Sequence, residues 1–263
     1  MTESTDLLVR LFKKENIFVI LCISILIILS WLYIFNISSM KAPGTMDSKL
    51  NNIVMPQMEK WTLNDILTTF AMWSVMMIAM MLPSAMPMIL VFSAVNKKRH
   101  SFGNQFVPTS IFVFGYIIVW VVFSFVAALT QLIIHNFALL SPDIRIINPV
   151  LSGIILISAG IYQFTPVKEI CLKNCQSPLS FMMGYWRDGK VGAFIMGLHH
   201  GLYCAGCCWI LMILLFVAGV MNLLWISLIA VFIFLEKVIQ RNHLLSYIAG
   251  FLLIVWGFSL IAL

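Results

Sequence analysis

The residues with the most chemistry sit in one apolar run, Gly197-Leu198-His199-His200-Gly201-Leu202-Tyr203-Cys204-Ala205-Gly206-Cys207-Cys208-Trp209. Three of the chain's six cysteines gather here beside a histidine pair. Polar and metal-capable side chains are costly at bilayer depth, so their clustering there points to function. On a helix of about 3.6 residues per turn, Met196, His200, Cys204, Cys207 and Cys208 share one face. A lone cysteine is often only a small buried hydrophobe. Three of them with His200 on one face make a soft ligand set suited to Cu(I), and cysteine with histidine also builds tetrahedral zinc sites. Ala193, Gly197, Gly201 and Ala205 recur every fourth residue and would let a neighbouring helix approach closely.

A second soft-ligand stretch runs from Met72 to Met88 and holds seven of the 17 methionines. Met72, Met76 and Met80 follow at one-turn intervals, and thioethers are neutral donors that favour Cu(I) at little cost in a bilayer. Methionine also fills core gaps without binding anything. Met76 and Met80 are the expected donors from this helix to the ion at Cys204, because both stretches reach mid-bilayer. Pro83 and Pro87 predict a kink or break. A third candidate is Cys171 with Cys175, whose spacing suits one helical face or a compact turn. In a cytoplasmic loop this pair would stay reduced and could capture a metal. Cys22 stands alone and is assigned to packing.

These residues need elements to hold them in a membrane. At 263 residues, 62% hydrophobic and 10% charged, with a mean hydropathy of +1.02, the composition excludes an ordinary soluble domain and predicts an all-α polytopic transmembrane helix bundle. About seven spans are expected: 17–35, 66–95, 107–134, 146–164, 191–217, 221–239 and 244–262. Residues 1–65 read as a polar N-terminus, an anchor helix and a polar loop, and 66–263 as a six-helix metal-binding unit. Arg10, Lys13, Lys14, Lys97, Lys98, Arg99, Lys168, Lys173, Arg187, Lys190, Lys237 and Arg241 fall on one side, against Lys41, Lys49, Lys60 and Arg145 on the other. Positive charge concentrates on the cytoplasmic side, which puts the N-terminus in the cytoplasm of a plasma-membrane protein and the C-terminus outside. Glu236 and Lys237 close the sixth span, where interfacial anchoring is slightly favoured over a role in ion entry.

Two segments, Met72-Trp73-x-x-Met76-Met77-x-Ala79-Met80-Met81-x-Pro83-Ser84-x-x-Pro87-Met88 and His200-Gly201-x-Tyr203-Cys204-x-Gly206-Cys207-Cys208-Trp209-x-Leu211-Met212, resemble a family of uncharacterised, predicted metal-binding integral membrane proteins. The likeness extends to Pro166-x-Lys168-x-x-Cys171-Leu172-x-x-Cys175-x-x-Pro178 and to Met221-Asn222-Leu223-Leu224-Trp225 followed by Glu236-Lys237, covering roughly residues 66–262. The resemblance implies membrane location and metal ligands, with no reaction attached.

The leading expectation is a non-enzymatic membrane protein that handles a soft metal, copper as Cu(I) first and zinc second. The lipid bilayer is its surroundings, a metallochaperone or membrane complex its partner, and nucleic acid is not expected. The alternatives are a membrane thiol-disulfide oxidoreductase working through Cys204, Cys207 and Cys208, and a non-catalytic subunit or assembly factor. Haem is disfavoured because the chain carries no attachment motif. The topology predicts that Cys171 in intact cells resists a membrane-impermeant thiol reagent and reacts once the cells are opened. Labelling in intact cells would invert the orientation.

Overall fold

The computed structural model describes residues 14–39, 62–103, 105–137, 145–239 and 244–262. Among these, every regular element is a helix: α1 (Lys14–Ser39), α2 (Leu63–Ser101), α3 (Thr109–Asn136), α4 (Pro149–Tyr162), α5 (Pro166–Gln176), α6 (Pro178–Tyr185), α7 (Gly189–Ala218), α8 (Leu223–Val238) and α9 (Leu244–Ala262). Of the charges used to orient the chain, Arg10, Lys13, Lys41, Lys49, Lys60 and Arg241 lie outside the described residues. Helices α2, α3, α7 and α9 are long and apolar enough to cross a membrane. The pair α4 and α5 makes a fifth crossing if it is taken as one bent span. The apolar part of α1, Ile20–Asn36, and the 16-residue α8 are shorter than the roughly 20 residues a full crossing takes.

Helix α2 starts three residues earlier than the apolar pattern indicates, because Thr62 and Asp65 form a capping box: the Thr62 N–H donates to Asp65 Oδ2 at 2.8 Å. It then runs unbroken through Pro83 and Pro87. The break expected there is absent, and neighbouring groups hydrogen-bond the turn between the prolines and the methionines. Ser84 Oγ donates to the Met81 carbonyl at 2.8 Å, and the Tyr116 hydroxyl donates to the same oxygen at 3.0 Å. The carbonyls that the prolines leave without a donor are those of Ala79 and Pro83, four residues before each; the two bonds on Met81 instead tether the turn between them. Farther up, Trp73 Nε1 donates to Gln131 Oε1 at 2.8 Å and ties α2 to α3.

The small-residue face of α7 meets α3. A Cβ on Gly197 would lie 2.1 Å from the Phe112 carbonyl oxygen, and one on Gly115 of α3 would lie 2.4 Å from the Phe194 carbonyl oxygen. Both helices therefore give up side chains at the crossing, which brings their backbones into contact. Helices α4 and α9 repeat the device through Gly153, Gly160, Gly250 and Gly257. Helix α2 reaches α7 through side chains, with the Trp73 and Phe216 rings 5.2 Å apart.

The segment expected as a cytoplasmic loop is largely helical. After α4 the chain turns by 63°, restarts on a Thr165 cap with Pro166 in the first turn, and lays α5 against α7. Cys175 is thereby buried and Cys171 half-buried. A buried polar network secures this return. Lys168, 1% exposed, donates to Gln163 Oε1 and pairs with Glu236, 3% exposed; Ser246 Oγ donates to the same carboxylate. Gln176 Nε2 adds a bond to the Glu236 carbonyl at 2.8 Å. Glu236 and Lys237 are thus interior groups, and the interfacial-anchor expectation is corrected: each has a buried polar partner, which removes the reason to reach for water.

The α3–α7 crossing yields a stability prediction. Gly197→Ala must push two backbones apart and should destabilise the protein by about 1–3 kcal/mol, as overpacking does. A Cβ on Gly184 meets nothing within 4 Å, so Gly184→Ala is the matched control. Thermal unfolding in detergent compares the two, and equal midpoints would refute the crossing.

Candidate metal centre

The central side chain is Cys204, which is fully buried on α7. Its Sγ is 2.9 Å from the Lys237 ammonium and 3.1 Å from the Tyr116 hydroxyl. Lys237, 7% exposed, also donates to Ser84 Oγ at 2.9 Å. Four helices thus send a group to one sulfur or to its immediate partners: α7 the cysteine, α8 the lysine, α3 the tyrosine and α2 the serine. A buried ammonium is tolerated when its donors are used and a balancing group is near, and this site provides both.

The other thiols surround that sulfur. Cys208 and Cys207 each donate back to the Cys204 carbonyl, at 2.9 and 3.1 Å. Cys175 of α5 interacts with the thiols of both Cys204 and Cys207. Cys171 reaches the same region over Gly206, where a Cβ would lie 2.8 Å from its sulfur. The six cysteines are free. Among the described residues, no three His, Cys, Asp or Glu side chains converge as a preformed ligand set. The thiols of Cys207 and Cys208 are turned towards a backbone carbonyl. Rotation about a Cα–Cβ bond redirects such a thiol without moving the helix.

The thioether in contact with the thiols belongs to Met81, whose Sδ lies 3.8 Å from Cys208 Sγ. Met76 and Met80, the donors expected from the sequence, are buried on the adjoining strip of α2. Met76 lines a separate crevice at the end of the bundle where α7 turns into α8. His200 is 2% exposed, and neither ring nitrogen has a hydrogen-bond partner. Its ring lies between Tyr116, Phe112 and Phe181, with centroids 5.5, 6.1 and 5.7 Å away. Two bare imidazole nitrogens in an apolar setting are costly, and the ring rests on the tyrosine that touches Cys204.

The structure therefore brings together Cys175, Cys204, Cys207 and Cys208, sets His200 and Cys171 beside them, and leaves Met76 in a different place. Sequence reading took Lys237 for an interfacial anchor and did not single out Tyr116 or Met81. For Lys237 the signal was present: a cation next to a carboxylate inside an apolar run, which at bilayer depth marks a functional group. Chemically the arrangement is a buried cluster of sulfurs with one cation and a phenol. Sulfur donors of this kind are selective for soft ions.

Comparison with known proteins points the same way. No curated protein and no solved structure matches the chain. A family model described as a copper chaperone, PpoB2, matches residues 70–260, which include every thiol except Cys22. Copper is the metal in that description, and it lends zinc no support. By this match, the chain belongs to the PpoB2 copper-chaperone family.

Proposed function

We propose that this protein is an integral membrane copper carrier that holds Cu(I) as cargo on the sulfurs around Cys204. The observation that carries the reading is the Lys237 ammonium, 2.9 Å from the buried Cys204 sulfur, with Cys207 and Cys208 buried on the same helix and the Met81 thioether against Cys208. Thiolates at bilayer depth need a counter-charge, and the chain supplies one from α8. Residues 66–263 form the metal-handling unit in this reading, and residues 1–65 add the anchor. The seven apolar runs cross or enter the plasma membrane with the N-terminus in the cytoplasm.

Cys171 is the half-buried member of the set and Cys175 the next sulfur inward. Copper enters by ligand exchange from a soft donor on a partner, a metallochaperone or a membrane complex, onto Cys171, and passes to Cys175 and then to the Cys204 group. His200 completes the inner site, since its nitrogens are free to take up a donor role. Stepwise exchange suits Cu(I), which accepts few donors and binds each new sulfur before losing the last. The oxidoreductase alternative requires an accessible attacking thiolate, whereas Cys204, Cys207 and Cys208 are at most 1% exposed.

Copper content of protein purified under reducing conditions from copper-supplied cells tests the reading. Wild type and Cys22→Ser should carry copper, while Cys204→Ser should lose nearly all of it and still elute as a single species. Copper-free wild type, or full copper in Cys204→Ser, would overturn the assignment. A second outcome isolates the lysine. Lys237→Met leaves the copper–thiolate group without its counter-charge and should weaken Cu(I) retention by at least about tenfold, since removing one partner of a buried pair costs several kcal/mol. Lys237→Arg should recover part of that loss in competition with a Cu(I) chelator.

A further inference from the structure

We propose that the crevice lined by Met72, Met76 and Met221 is a second Cu(I) site, built from thioethers alone. It lies at the end of the bundle where α7 turns into α8, and Tyr33, Ile34, Val220 and Ile226 complete its wall. The methionines come from two separate parts of the chain. Met72 and Met76 stand one turn apart on α2, and Met221 sits in the turn between α7 and α8. That turn is fixed by Gly219, whose φ of +98° is open to glycine and strained for other residues, so the position of Met221 is set by backbone.

The space enclosed is about 10 Å³, room for a single small occupant. Among the described residues no carboxylate, imidazole or thiol lines it, which disfavours hard and borderline cations and leaves a soft monovalent ion as the matching ligand. Burial is graded: Met76 is 2% exposed, while Met72 and Met221 are half-buried. Two donors therefore face the approach and the third backs the site.

The crevice also shares helix α2 with the cysteine cluster. Met76 and Met80 are successive turns of α2, and Met80 precedes Met81, whose sulfur touches Cys208. At about 1.5 Å of rise per residue, Met72 and Met81 are separated by roughly 14 Å along the axis, with a thioether at each turn between. The inference rests on the copper-handling reading for the identity of the ion only. The site itself stands on the gathering of three thioethers, away from the cysteines.

The test uses the intact, reduced protein in detergent and Ag(I) as a redox-inert stand-in for Cu(I). Hydrogen peroxide converts accessible thioethers to sulfoxides, and a metal on the sulfur blocks that reaction. With excess Ag(I), peptide mass spectrometry should show several-fold slower oxidation at Met72 and Met221 and no change at Met183, which is 80% exposed and outside the crevice. Met76→Leu, close in volume, should abolish the protection at both positions. In Cys204→Ser the protection should persist, so loss of the thiol site and loss of this one are read separately. Equal oxidation of Met72 and Met221 with and without Ag(I), or unchanged protection in Met76→Leu, would overturn the three-thioether site.

Discussion

An ammonium inside an apolar helix bundle is tolerated only where its partners are held in place, and Lys237 sets that condition for the centre of this protein. Its nitrogen is shared between Cys204 Sγ and Ser84 Oγ. Both have to be delivered by helices whose positions are fixed elsewhere. The glycine crossing of α3 and α7 fixes Cys204, and it brings Tyr116 to the same sulfur. Ser84 is fixed by an α2 that stays helical through two prolines and is bonded to α3 at Trp73. The apolar packing thus serves an electrostatic end, which is why the side chains removed at the crossing are lost from α3 and α7.

The next residue back, Glu236, faces a second partner. Its carboxylate meets Lys168 and Ser246, and its carbonyl meets Gln176. One turn of α8 therefore ties the cysteine cluster to α5 and α9. Helix α5 is the element that carries Cys171 and Cys175, so the same turn that neutralises the cluster also positions the outer thiols. This is a tighter coupling than two independent ion pairs would give, because neither Glu236 nor Lys237 can shift without drawing on the partners of the other.

Much of this was legible in the sequence, and the failures have specific causes. The helical character followed from apolar run length, and the face shared by His200, Cys204 and Cys208 followed from helical spacing. Of the seven expected spans, four of the described helices are long and apolar enough to cross, or five if α4 and α5 are one bent span; the run 146–164 stops at a turn and α8 is short. The thioether against Cys208 is that of Met81, one position or about 100° round the helix from Met80, a difference that spacing alone does not resolve in a run this rich in methionine. Cys171 and Cys175 were placed in a loop because the segment is polar overall. Its buried face, Lys168, Leu172 and Cys175, is hidden when a lysine is read as a surface residue.

The charges in this interior bear on which metal the cluster suits. Lys168 and Lys237 are two buried cations, and Glu236 is the buried carboxylate beside them. In the proposed reading one balancing negative charge is supplied by the sulfur that Lys237 touches, since Tyr116 and Ser84 offer neutral hydroxyls. In the proposed cycle a monovalent copper ion binds that thiolate and a second thiol, which gives up its proton. The group keeps its single negative charge, and Lys237 compensates it equally well before and after loading. A divalent ion on the same two sulfurs would be neutral, leaving Lys237 without a counter-charge in an apolar interior, where an isolated charge costs several kcal/mol. In that reading the lysine would discriminate by charge where the sulfurs discriminate by softness, and the two filters together would favour Cu(I) without requiring a ligand shape rigid enough to exclude other metals by geometry.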